Sequence, residues 1–305
     1  VPVCLLENIS GDGIVVSGAR LEALGGTLGQ ISMSGGARGS LEQLGISGNS
    51  DEVPGRALLD LDRGTLTLAG VTIAAEGRDA IGIRSRDAQL TIRDSSVAAS
   101  GATTALAVRG SGSEIRILNS SLVARAGSAY GASLRGGSLS VDRGAVHATG
   151  LNDAVGLVAV QTELNLRSSV VWTTGRNGRS SLSALNIDSG GITGATLDTA
   201  VLVADYGGES DPSGAGVAIE TSRSGELAVA DSRFIGWEIV LQGSSDAASW
   251  GTGQRFTTIE DLEALSDANR RNRALGLGTL PDLHVEAWRA MATAGDDFMG
   301  ETYAE

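Results

Sequence analysis

The 305-residue chain has one cysteine, four prolines, no lysine and only 3% aromatic residues. Each shortage excludes something. A disulfide-stapled scaffold needs paired cysteines, and Cys4 has no partner in the chain. Collagen needs glycine at every third position with abundant proline, and the 44 glycines here follow no such rule. No run approaches the roughly 20 apolar residues of a membrane-spanning helix. Two histidines and one cysteine cannot assemble a structural zinc site. Gly276-Leu277-Gly278 lacks the flanking strand and third glycine of a dinucleotide site. No metal or cofactor is therefore expected. The 36 acidic residues outnumber the 23 basic ones, giving a net charge of −13. That balance argues against nucleic acid or anionic membrane as a partner, because phosphate contacts require positive charge. With lysine missing, every strong base is arginine, which points to codon usage in a GC-rich genome. The chain begins without the basic and apolar regions of a signal peptide, as in a cytosolic or already processed protein.

What is present is a repeat. Pairs of the form apolar-x-apolar recur at Leu66/Leu68, Leu90/Ile92, Ile115/Ile117, Leu139/Val141, Leu164/Leu166, Ala195/Leu197 and Leu227/Val229. The numbering advances from one pair to the next by 24, 25, 24, 25, 31 and 32. A second ladder with the same steps runs through Ile73, Val97, Leu122, Val146, Val171, Leu202 and Phe234. A third is made of alanines at Ala57, Ala80, Ala105, Ala129, Ala154, Ala184 and Ala215. Alternation marks strands, whose successive side chains point to opposite faces. Turn residues punctuate the segments, as in Asp142-Arg143-Gly144. Three strands per step of 24 to 25, repeated in register, predict an all-β chain folded as a right-handed parallel β-helix of about ten rungs. A core rich in Ala, Val, Leu and Ile suits such stacked coils better than one large globule.

Residues 1–56 fit the period loosely and are expected to form N-terminal irregular rungs, with strand cores at Ile14-Val15-Val16, Ile31-Ser32-Met33 and Leu44-Gly45-Ile46. Residues 57–253 are the regular helix of rungs. Residues 254–305 lose the pattern. There Ile259, Leu262 and Leu265 follow an acidic helix start, and Val285, Trp288 and Met291 follow Pro281, which predicts two short helices that cap the rod or leave it.

Parallel β-helices also host polysaccharide lyases and hydrolases, which need clustered carboxylates for a cation or for acid and base work. The aspartates here are dispersed over the rungs, and Asp296-Asp297 falls in the tail. His147 follows a ladder residue, so alternation points it outward as a surface histidine, and His284 has no nucleophile signature beside it. No catalytic residue is assigned.

The corners are more informative. The spacing from the second ladder to the third is 7 or 8 in the regular rungs, then 13 from Val171 to Ala184 and 13 from Leu202 to Ala215. Two consecutive rungs enlarge one corner, and loop insertions on one face of a solenoid commonly form its recognition surface. The first loop carries Trp172, Arg176 and Arg179, and the second carries Asp205, Tyr206, Glu209 and Asp211. Trp, Tyr and Arg dominate interface energetics. Trp172, Arg176, Arg179, Tyr206, Glu209 and Asp211, with Trp237 in an abruptly short corner one rung on, are the expected partner-binding residues. Mutual salt bridges that shield the corner are the plainer reading of the same charges.

The rung pattern in Gly64-Thr65-Leu66-Thr67-Leu68-Ala69-Gly70-Val71-Thr72-Ile73 and in residues 137–146 resembles the passenger domains of pertactin-like autotransporters, over roughly residues 57–240. Within that family it is most similar to virulence-activated passengers that capture the serpin regulating the first complement component. The resemblance implies a bacterial surface-displayed or secreted, non-enzymatic virulence factor. Its partner would be a host plasma protein, that serpin, or it would act as an adhesin. The chain would be monomeric, with its membrane barrel absent from this sequence. Near-absence of cysteine fits passage through a narrow barrel. The Arg-Gly-Asp tripeptide and proline-rich loops of adhesin members are missing, which weakens an integrin-type role. A β-helical polysaccharide lyase or hydrolase is the alternative.

Overall fold

The computed structural model describes residues 2–52, 57–175, 180–188, 194–205, 216–221, 226–230, 232–235, 237, 239–243, 247–250 and 255–257. Every strand among them pairs in parallel with the equivalent strand one coil away. The chain is a parallel β-helix. Three faces wind round one core. The first carries the Leu66 ladder, where Leu66, Leu90, Ile115, Leu139, Leu164, Ala195 and Leu227 pair in turn. The second carries the ladder from Ile73 through Val97, Leu122, Val146, Val171 and Leu202 to Phe234, each pairing with the next. The third runs through Ile83, Val108, Ala132, Leu157, Leu185 and Ile219. The inward residues are sealed: Leu66, Ile73, Ile83, Ile115, Val146 and Leu164 are all 0% exposed. Burying one such aliphatic side chain stabilises by about 1.5–3 kcal/mol.

The first coils are smaller than the rest. Cys4 pairs with Leu21 and Leu21 with Gly39, so the numbering advances by 17 and then 18 per coil, whereas Gly39 pairs with Leu66, an advance of 27. The difference lies between the second and third faces. Leu28 and Ile31 are three residues apart, and their partners Ile46 and Leu59 are thirteen apart. Coils that short cannot carry the longer period of the regular rungs, which is why residues 1–56 match it loosely. Ile14–Ser17, Ile31–Ser34 and Arg38–Asn49 are strands of the same stack.

Tight corners separate the faces. Between the first and second, one residue per coil enters the left-handed region: Asp94, Asn119, Arg143, Ser168 and Thr199, at φ of 46° to 55°. Arg63, Asp87 and Gln161 do the same between third and first faces, at 47° to 51°. A single left-handed residue turns the chain sharply without breaking the stack, and Asp and Asn tolerate it best. A serine follows the first of these corners on several coils. The Ser120 hydroxyl accepts from the Ser95 amide at 3.0 Å and donates to the Leu118 carbonyl at 2.7 Å. Ser95 serves Val71, Ser169 serves Gly144 and Ser232 serves Ala200 in the same way. Each hydroxyl satisfies an amide that the bend takes out of the ladder.

The third ladder is corrected at one rung. Ala154 pairs with Leu182, not Ala184, which lies opposite Gly156 two residues further on. A slip of two residues keeps every side chain on its own face. Alternation alone could not distinguish the two registers. Ala215 lies outside the described residues.

Candidate functional site

With that register the enlarged corner is redrawn. The spacing from the second ladder to the third is 8 from Val146 to Ala154, 11 from Val171 to Leu182 and 14 from Leu202 to Gly216. Growth over consecutive coils stands. The two equal spacings of 13 become 11 and 14. A second enlargement accompanies it. Val160 and Leu164 are four residues apart, whereas their partners Asp188 and Ala195 are seven apart. The signal was the length of that coil, since its six extra residues divide equally between two corners. Arg176, Arg179, Tyr206, Glu209 and Asp211 lie outside the described residues, and so do His284 and Asp296-Asp297.

Trp172 and Trp237 are placed. Trp172 lies in the strand Val170–Gly175, outward on the second face and half-buried, three residues before the first enlarged corner. Its ring stacks on His147 of the preceding coil, with centroids 4.8 Å apart and planes 21° from parallel. Trp237 occupies the short corner. Ile235 pairs with Val203 and Ile239 with Val217, so an advance of four does what fourteen does one coil earlier. The half-buried Trp237 packs against the core, and its Nε1 donates to the Leu202 carbonyl at 2.9 Å. This places it one step below the enlarged corner, with its indole N–H already committed to the backbone.

His147 points outward as alternation requires, but it is not a surface histidine: its exposure is 1%. Nε2 lies 3.0 Å from the Thr174 hydroxyl and 3.2 Å from that of Thr149. Arg125, 2% exposed, belongs to the coil before. Burial, and then the Arg125 charge, push the His147 pKa down to about 3. The imidazole is neutral at pH 7. A threonine hydroxyl beside a histidine has the outline of a nucleophile and its base. A general base, however, needs a pKa near the working pH and reach to a substrate. Both are denied here, so the cluster packs rather than reacts.

Opposite charges also meet on the third face. Arg84 Nε and Nη2 donate to the two Asp60 carboxylate oxygens at 3.0 and 2.5 Å, and Arg86 adds a contact at 3.5 Å. The hydrogen bond to Asp60 raises the Arg84 pKa further above its ordinary value. An open groove of about 470 Å³ runs along the corner between third and first faces, lined by Arg38, Arg63, Asp87, Gln89 and Glu114 with Gly36, Gly64 and Gly112 between them. Sequence reasoning missed it. The column at that corner mixes Gly36, Arg63, Asp87 and Gly112, so no run of one residue type marks it in the sequence. Among the described residues no group of three or more His, Cys, Asp or Glu is placed to hold a metal ion. Cys4 is exposed.

A scan against protein-family models and a search of curated proteins matched nothing. Among solved structures the chain is similar to the Dettilon tailspike protein, at 10% sequence identity and a TM-score of 0.29, covering 85% of this chain. It spans 62% of that protein's length.

Proposed function

We propose that the chain is a non-enzymatic binding rod: an autotransporter-type passenger on, or released from, a bacterial surface, which as a monomer captures a host plasma protein, the serpin regulating the first complement component. One observation carries the binding role. Two successive coils of a registered stack enlarge the same corner, at Gly175–Ser181 and again at Asp205–Gly216, where the coil before turns between Gly150 and Asp153. Stacking makes neighbouring corners project together, and a broad projection from a rigid rod is the usual place for recognition. The bacterial setting and the partner rest on the rung resemblance. The test is biolayer interferometry of the full chain on immobilised serpin, beside a variant with both corners cut to the Gly150–Asp153 length. A tenfold or greater loss of affinity with unchanged melting is expected. Equal affinity in the two proteins sinks the corner as the site, and no binding by either sinks the serpin.

The polar groove gives the polysaccharide reading its one specific support, because Arg38, Asp87, Gln89 and Glu114 present charges and an amide along a single trough. A glycan array decides that reading. Retention of an acidic oligosaccharide, lost on Arg38→Ala, would favour it over the protein binder.

A further inference from the structure

Asp60 and Arg84, one coil step apart on the third face, close a salt bridge, and Arg167 and Asp198 do so on the first. The groove at the corner between third and first faces behaves differently. One side of it is Gly36, Arg63, Asp87 and Gly112, a residue from each of four coils. The other is Arg38, Thr65, Gln89 and Glu114, which pair in register. Arg63 and Asp87 are also one step apart, since the Arg63 amide donates to the Arg86 carbonyl. They do not pair. Arg63 lies 3.5 Å from Asp62, and the Asp87 carboxylate turns away over Gly112, where a Cβ would strike its Oδ1. Among the described residues neither Arg38 nor Asp87 forms a salt bridge. The groove is therefore cationic over two coils and anionic over the next two, with the charges held apart.

We infer that this groove binds a zwitterionic oligosaccharide, with an acidic sugar at Arg38 and Arg63 and an amino sugar at Asp87 and Glu114. The inference rests on the polysaccharide reading and narrows its ligand class. Backbone groups along the floor are spent, because the amides of Thr65, Gln89 and Glu114 donate to the carbonyls of Ala37, Gly64 and Ala88. Recognition falls to side chains. The guanidinium groups only donate, the carboxylates only accept, and the Thr65 hydroxyl and Gln89 amide do both, which suits a ligand covered in hydroxyls. The row Thr65, Gln89 and Glu114 also borders a second hollow of about 180 Å³ beside Thr91 and Arg116, so it stands as a polar ridge. A peptide needs a free strand edge or apolar pockets. Here Ala88, 5% exposed, is the one apolar side chain in the lining. A purely acidic glycan would face Asp87 and Glu114 within a chain of net charge −13. Arg38 and Asp87 lie two coil steps apart, roughly 10 Å, which puts the two ligand charges on different sugars along the rod axis. The groove volume of about 470 Å³ falls within the range of about 300–1,000 Å³ usual for small-ligand sites.

Isothermal titration calorimetry of the full chain, at mildly acidic pH where amines are charged, compares tetrasaccharides of hyaluronan, de-N-acetylated hyaluronan and chitosan. These carry carboxylates only, carboxylates with free amines, and amines only. The de-N-acetylated form should bind about tenfold or more tightly than either of the others, the size of one charge-assisted hydrogen bond. Arg38→Ala should remove its advantage over chitosan and Asp87→Asn its advantage over hyaluronan, both with unchanged melting. Equal binding of hyaluronan and its de-N-acetylated form overturns the inference while leaving the polysaccharide reading standing. Binding of none of the three overturns it too, and the glycan array shows separately whether another sugar is held. An advantage that survives both substitutions overturns the site. Equally tight binding of the peptide Glu-Gly-Gly-Lys overturns the ligand class.

Discussion

At the residue scale, burial decides what the charged and polar side chains do. His147 is held neutral, so the native state binds fewer protons than the unfolded chain between its depressed pKa of about 3 and the ordinary 6.5. The resulting stability is fully present above pH 6.5. It is lost as the pH falls through that window, by up to about 1.4 kcal/mol per pH unit. His147→Gln removes the titration, and the difference in unfolding free energy between wild type and variant should shrink steadily from pH 6.5 to pH 4 in urea melts. On the third face, the Asp60 side chain is 12% exposed and that of Arg84 20%. Asp60→Ala leaves a guanidinium with its fork unmet, at a cost of about 1–2 kcal/mol. Arg84→Met in the same background should recover part of the loss. A double variant no more stable than Asp60→Ala would show that the pair contributes little.

At the scale of elements, the corners and the small inward residues do what no single strand can. Ser120→Ala strands the buried Ser95 amide, and a cost of about 1–2 kcal/mol is expected in denaturant unfolding, with the coil otherwise intact. Gly156 is more demanding. A Cβ there would collide with Val171 Cγ1 and stand 2.7 Å from the Ala184 carbonyl, neither of which can swing aside. Gly156→Ala should cost about 1–3 kcal/mol, whereas alanine at Gly11, which has nothing within 4 Å, should be nearly neutral. These contacts also explain how far the sequence could be read. Leu66, Ile73 and their successors were legible because each coil repeats the alternation of the last, and a wrong register would expose them. The partner of Ala154 was not, since Leu182 and Ala184 both face inward. The enlarged corner was legible as length alone. The burial of His147 was hidden, because an outward residue's environment depends on its neighbours in adjoining coils, here Trp172 and Arg125, rather than on its own strand.

At the scale of the whole molecule, stability is distributed coil by coil. Each coil contacts only its neighbours, so stability is approximately a sum of coil and interface contributions. The first coil has its apolar residues only half-buried at Leu6, Ile9 and Ile14, whereas Leu139, Val146, Leu157 and Leu164 are 0% exposed. Native-state hydrogen exchange should therefore open the amides of residues 3–17 well before those of residues 139–166. Uniform protection along the rod would show a cooperativity that nearest-neighbour contacts do not supply.

The nearly constant coil between Thr65 and Arg167 has an evolutionary side. Because Glu114 pairs with Ser138, excising residues 114–137 joins Ser113 to Ser138 with every later ladder still in phase. The rod would be shorter by one step of about 4.8 Å and otherwise unchanged. Removing half as many residues would turn the remainder out of phase and tear the stack. Reach in this molecule is thus a countable trait: corners absorb insertions of a few residues, as they do beyond Gly175, but the rod lengthens or shortens only by whole coils.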